Sequence, residues 1–276
     1  MRLYNSNGIS GTEQCGEYSI TYLQSVGSRV EQQDCIGYTY TDSDVFAVLC
    51  DGMGGHKGGR QASQIAVEEI IHAFENKNRQ ANEETLMTTA LESADQRICA
   101  LADADGTRLN AGSTAVVCWL KGRTLSFASV GDSRLYLYRG EKLIQLSVDM
   151  IYRRELDGNL SAGIISQEEY DSEIIHGEEL ISFLGMGGLE KTQLSLSENT
   201  FENEDKLLLM SDGLYKLIEN AELESIVKNF KNPEETLIAL NMKIEMSTKR
   251  RGIRRDNLSV MLISVSKGGQ NEENQM

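Results

Sequence analysis

A chain of 276 residues, 40% hydrophobic and 25% charged, has the size and composition of a globular protein with a substantial core. Its net charge of −15 argues against nucleic acid as a partner, because phosphate backbones are held by clustered lysine and arginine. No run approaches the roughly 18 apolar residues of a membrane helix, and the first residues lack the apolar core of a signal peptide, so no membrane partner is expected.

In chain order, strands are predicted over residues 18–26, 35–40 and 45–50. Two helices follow. Ala62, Ile65, Ala66, Ile70, Ala73 and Phe74 recur at three- and four-residue spacing, and so do Met87, Ala90, Leu91, Ala94, Ile98 and Leu101. A β-rich block comes next, with strands over 113–120, 124–130 and 135–139. Lys121-Gly-Arg123 and Arg139-Gly-Glu141 read as its hairpin turns. A strand over 206–210 precedes helices over 221–230 and 233–248, the second opened by Asn232 as N-cap and Pro233 at the first helical position. The last strand, 257–265, is apolar on both faces and belongs in the interior of a layered fold. This order fits two sheets with helices packed outside, not the strict alternation of a doubly wound sheet. With no linker or internal repeat, residues 1–266 read as one domain, and residues 267–276 as a disordered tail.

Five cysteines, odd in number and without Cys-x-x-Cys pairing, read as reduced and mostly buried thiols, which makes the cytoplasm the expected location. The sequence contains neither the Gly-x-x-x-x-Gly-Lys-Ser/Thr phosphate loop nor Gly-x-Ser-x-Gly. No cysteine is followed six residues later by arginine. Three histidines offer little to a zinc site or a Ser-His-Asp triad.

Three aspartates stand out. Asp51 ends Val45-Phe-Ala-Val-Leu-Cys-Asp51-Gly-Met-Gly-Gly-His56, Asp212 ends Leu207-Leu-Leu-Met-Ser-Asp212-Gly213, and Asp256 opens Asp256-Asn-Leu-Ser-Val260. A run of β-formers meeting Asp-Gly or Asp-Asn sets a carboxylate at a strand tip, and glycine lets the backbone turn sharply there. Singly, each is an ordinary turn. Should the tips converge, the carboxylates would repel one another unless cations joined them.

Taken jointly and in order, Asp51-Gly-Met-Gly-Gly-His56 with Gly59 beyond it, Gly131-Asp-Ser-Arg134, Ser211-Asp-Gly213 and Arg255-Asp-Asn257 resemble the metal-dependent protein phosphatases (the PPM, or type 2C, family) in their bacterial branch. Gly27-Ser-Arg29-Val-Glu-Gln-Gln-Asp34 is similar to the family's opening segment, and Ala111-Gly-Ser-Thr-Ala115 also fits. The resemblance spans residues 18–265. It implies an α+β fold, a four-layer α-β-β-α sandwich of two mainly antiparallel sheets with helices outside. It further implies that Asp51 bridges two metal ions, that the Gly52 carbonyl binds one of them, and that Asp212 and Asp256 hold the other. Asp34 would be a direct ligand or a neighbour of one, Asp132 would serve a weaker third ion, and Arg29 would hold the phosphoryl group.

Oxygen-only ligands select Mg²⁺ or Mn²⁺ over zinc, and two such ions can share a hydroxide aimed in line at phosphorus. The implied activity is hydrolysis of phosphoserine and phosphothreonine on proteins, opposing a serine/threonine kinase in signalling. His56 is a candidate acid for the leaving alkoxide. Family members with an evident acid carry histidine directly after Asp-Gly, where this chain has Met53, so a structural role and a metal-bound water as proton source stand against it. Gln33 replaces a frequent glutamate. Residues 157–191, without a strand pattern, correspond to the family's mobile flap, entered here by Asp149-Met-Ile151 instead of Asp-His-Ser. Lys249-Arg-Arg-Gly-Ile-Arg-Arg255 is either a solvated loop or a dock for an acidic phosphopeptide. Two rival readings remain: a weakly active or inactive member that binds phosphoproteins as a signalling module, and a phosphatase of small metabolites.

Overall fold

The computed structural model describes residues 2–77 and 82–265; the predicted tail lies outside them. The chain runs β1 (Arg2–Tyr4), β2 (Gly8–Cys15), β3 (Tyr18–Ser25), β4 (Asp34–Tyr40), β5 (Asp44–Met53), α1 (Gly55–Glu75), α2 (Glu83–Cys99), β6 (Gly112–Ser113), β7 (Ala115–Lys121), β8 (Thr124–Val130), β9 (Arg134–Arg139) and β10 (Lys142–Gln145). It continues through α3 (Tyr152–Ser161), α4 (Gln167–Glu173), a 3-10 turn (Ile174–His176), β11 (Gln193–Thr200), β12 (Lys206–Met210), α5 (Asp212–Tyr215), α6 (Asn220–Asn229), α7 (Pro233–Arg251) and β13 (Leu258–Val265).

One sheet has the order β1-β4-β5-β7-β8-β11, with β6 paired to β5, and the other has the order β10-β9-β12-β13-β3-β2. All the strand pairs in both are antiparallel. Three cores separate the layers. Val67, Ile71, Phe74, Leu91 and Trp119 fill the space between α1–α2 and the first sheet. Ile20, Leu49, Val116, Phe127, Leu209 and Met261 are buried between the sheets. Leu208, Leu214, Leu223, Leu240, Val260 and Leu262 lie between the second sheet and α5–α7. The fold is therefore the α-β-β-α sandwich that the resemblance implies.

The second sheet shows why the pattern of β13 reads as interior. β13 pairs with β12 on one side and β3 on the other, and its alternate side chains enter two different cores. In the first core Phe74 stacks on Phe46 at 4.2 Å between ring centroids and meets Trp119 edge-on at 5.0 Å. Helix ends follow the local signals: Asn232 accepts hydrogen bonds from the Glu234 and Glu235 amides at 2.8 and 3.3 Å, and Gly252 closes α7 with φ 66°. The predicted strand over 113–120 is interrupted at Thr114, whose side chain is used elsewhere. Among the described residues no helix is long and apolar enough to cross a membrane.

Candidate metal centre

The site forms where strand ends of both sheets meet. In the first sheet Asp34 and Asp51 are direct cross-strand partners on β4 and β5. In the second, Asp212 follows β12 and Asp256 precedes β13, neighbouring strands in the centre of that sheet. The glycine after Asp212 is required by packing, since a Cβ on Gly213 would lie 1.8 Å from the Asn257 carbonyl oxygen and 3.5 Å from the Asp256 Cβ. Gly52 is equally confined, with the Gly59 carbonyl oxygen 2.0 Å from an added Cβ.

The Ala111-Gly-Ser-Thr-Ala115 motif clamps the Asp51 backbone. The Asp51 amide donates to Thr114 Oγ1 at 3.0 Å, while its carbonyl accepts from the Thr114 amide at 2.8 Å and from Ser113 Oγ at 3.0 Å. Asn257 ties the opening segment to β13: its Oδ1 accepts from the Gln33 amide at 2.8 Å, and its Nδ2 donates to the Val26 and Glu31 carbonyls at 3.0 Å each. Ser211 bridges the sheets, donating from Oγ to Asp34 Oδ2 at 2.8 Å and accepting from the Ser259 amide at 3.0 Å.

The carboxylates act strongly on one another. Burial pushes Asp51 well above the usual carboxylate range, and the charges of Asp34, Asp212, Asp132 and Asp256 add to the shift. Burial likewise pushes Asp34 up to about 7, against hydrogen bonds from Ser259 and Ser211 and with added repulsion from Asp212 and Asp256. Asp34 is fully buried, and its Oδ1 has no hydrogen-bond partner. All five predicted acidic residues thus share one electrostatic neighbourhood.

Among the described residues no three acidic, histidine or cysteine side chains are grouped as a finished coordination set, and three of the carboxylates pair with protein cations. Arg29 grips Asp256 through both nitrogens of a fork, Nε to Oδ1 at 2.7 Å and Nη2 to Oδ2 at 2.5 Å. Lys216 Nζ lies 2.7 Å from Asp212 Oδ2 and 3.3 Å from Asp132 Oδ2, which also accepts from the Tyr215 hydroxyl at 2.9 Å. Burial lowers the Lys216 pKa, but Asp212 and Asp132 together hold it above the ordinary lysine value.

Nothing in the sequence reading assigned Lys216, Tyr215, Ser211 or the Thr114 clamp; the four-residue spacing from Asp212 to Lys216 was the one available signal. The His56 side chain lies outside the described residues, although its backbone opens α1. The residues fit hard divalent cations: oxygen donors only, a buried carboxylate oxygen without a partner, and Asp51 under the charge of four neighbours.

The segment over 157–191 begins inside α3, which starts at Tyr152, and contains α4, and its base is tied beside the site. Ser113 and Leu184 exchange backbone hydrogen bonds at 2.9 and 2.8 Å, and the Met150 amide donates to the Gly131 carbonyl at 2.9 Å. Asp149 accepts from Arg134 Nη2 at 2.6 Å, which anchors this segment to the Gly-Asp-Ser-Arg motif. A cavity of about 490 Å³ opens here, lined by Asp149, Arg154, Glu155, Lys191 and Gln193 among others, and none of the five site aspartates borders it. The basic cluster is divided: Lys249, Arg250 and Arg251 form the last turn of α7, whereas Arg255 pairs with Glu245 at 2.9 Å.

Comparison with known proteins agrees with this architecture. A family model for Protein phosphatase 2C matches residues 28–247. The chain is 30% identical over 254 residues to the protein phosphatase PhpP of Streptococcus pneumoniae, covering 90% of this chain and 97% of that one. The serine/threonine phosphatase of S. agalactiae superposes with a TM-score of 0.75 at 24% identity, over 90% of this chain and 100% of the other. The catalytic domain of the protein phosphatase PstP, solved with two manganese ions, superposes with a TM-score of 0.69 at 21% identity, over 90% and 98% of the two chains. Fold and relatives together define a protein phosphatase of the α-β-β-α class. More particularly, the chain belongs to the Protein phosphatase 2C family, whose enzymes are protein serine/threonine phosphatases.

Proposed function

We propose that this protein hydrolyses phosphoserine and phosphothreonine on other proteins with Mn²⁺ or Mg²⁺ held by Asp51, the Gly52 carbonyl, Asp34, Asp212 and Asp256. The observation that carries this reading is the raised proton affinity of Asp51, produced by burial and by the four other aspartates around it. Such a set is costly without added positive charge and suits hard cations once charged. PstP, of the same fold, binds two manganese ions.

Ions bound here would supply Lewis-acid charge to the phosphoryl oxygens and acidify the attacking water. The chain's own residues do the rest. The Thr114 and Ser113 clamp fixes the Asp51 backbone, and Asn257 fixes the loop that carries Arg29. The Arg29 fork matches a phosphoryl group as well as a carboxylate, so Arg29 would be free to bind substrate if Asp256 held an ion instead. The flap over 157–191, whose Leu184 pairs with Ser113, would contact residues flanking the phosphorylated side chain. Substrates of a serine/threonine kinase are the expected partners, and five free thiols, four of them buried, suit the cytoplasm.

The deciding assay is release of phosphate from a phosphothreonine peptide and from p-nitrophenyl phosphate, with Mn²⁺ and then with EDTA. Turnover of the peptide with Mn²⁺ alone supports the proposal. Asp212→Asn and Asp256→Asn should each lower turnover by orders of magnitude with an unchanged circular dichroism spectrum. Near-full activity in either variant overturns the roles given to these residues, and peptide binding without turnover would mark a signalling module.

A further inference from the structure

The position that the resemblance gives to a third ion, at Asp132 beside Asp212, is bridged by a side chain of the protein. Lys216 Nζ stands 2.7 Å from Asp212 Oδ2 and 3.3 Å from Asp132 Oδ2. Asp132 is buried, and the same Oδ2 accepts from the Tyr215 hydroxyl at 2.9 Å. Tyr215 is itself held, with the Arg134 guanidinium 3.6 Å from its ring centroid. Lys216 reaches both acids because it caps α5, one turn after Asp212, with its amide donating to the Asp212 carbonyl at 3.1 Å.

We propose that Lys216 is a built-in cation that takes the place of a third divalent ion, so that this enzyme works with two. A hard dication there would need several oxygen ligands. It would find one Asp132 oxygen shared between a phenol and an ammonium, and it would stand next to a like charge. The ammonium is tethered at a high local concentration that free Mn²⁺ must exceed. The two-ion site described above is the basis of this inference, but Lys216 is tested by a difference that does not depend on activity.

The test counts Mn²⁺ bound per chain, by calorimetric titration and by metal analysis after equilibrium dialysis at millimolar Mn²⁺. The wild type, Lys216→Arg and Lys216→Met are compared. Lys216→Met is expected to bind one ion more than the wild type, and Asp132→Asn added to it should remove that ion again. Lys216→Arg, which keeps the charge, should match the wild type. A third ion in the wild type, or equal counts in the wild type and Lys216→Met, overturns the proposal. If Lys216→Met fails to fold, the wild-type count decides alone: two ions support the inference and three refute it. If the wild type binds none, the two-ion reading fails, while a gain of one ion in Lys216→Met still assigns the cation role to Lys216.

Discussion

The two halves of the site solve the same electrostatic problem differently. Asp34 and Asp51 sit on adjacent strands of the first sheet; Asp34 accepts from the Ser211 hydroxyl, its Oδ1 has no hydrogen-bond partner, and among the described residues neither acid forms an ion pair. Asp212 and Asp256, at the ends of the second sheet, each carry a protein cation, Lys216 and Arg29. The difference locates the demand for outside charge at Asp34 and Asp51. The second half is already partly neutralised and must exchange partners to take part.

The sharpest way to break this comparison is Asp51→Asn. Turnover of a phosphothreonine peptide should fall about a thousandfold or more, equivalent to roughly 4 kcal/mol of transition-state stabilisation. Melting of the ion-free variant should occur above the wild type, because a repulsive charge is gone. A lower melting temperature would show that the cluster is not strained.

Next comes pH. Asp34 is held up to about 7 in the folded chain, against about 3.9 for an unperturbed aspartate in the unfolded one. Between those values the native state keeps a proton that the unfolded state has lost, so ion-free stability should fall as pH rises from about 4 to about 7. Mn²⁺ held by Asp34 and Asp51 must displace such protons, so affinity should weaken at least about tenfold per pH unit below 7, read by calorimetry. A flat profile would place both acids outside the ion site.

A smaller effect is expected at Arg29, whose side chain is 56% exposed. Arg29→Lys keeps the charge but loses the fork, and should raise KM for the peptide about tenfold with little change in melting temperature. A change in stability alone sharpens the other half: Ser211→Ala removes the donor to Asp34 and should cost about 1 kcal/mol in urea unfolding at pH 8. At pH 5, where Asp34 is protonated, the cost should shrink.

The layered fold was legible because its central strands are apolar on both faces and α1 and α2 keep a clear helical period. The edges were not. β2 alternates exposed and covered residues with two glycines in eight positions, and β1 is only three residues long. Of the two helices at the start of this region, α3 buries only Leu156 and α4 buries no residue, so hydrophobic periodicity had nothing to register. The site divides in the same way. Asp-Gly at strand ends announced Asp51 and Asp212, whereas the grip of Arg29 on Asp256 joins residues 227 apart and depends on two loops closing together. Lys216 could have been suspected from its spacing, but its reach to Asp132 depends on Tyr215 and the turn at Gly131, where φ is 90°.

Because the acidic pairs belong to opposite sheets, the molecule resembles a caliper whose jaws are β4–β5 and β12–β13. The gap is set by the side chains packed between the sheets, among them Leu49, Phe127, Leu209 and Met261, with the Ser211 hydroxyl as a pin. A volume change in that filling, made far from any carboxylate, would slide one jaw against the other. Such a lesion would surface as a chemical defect before it became a folding one.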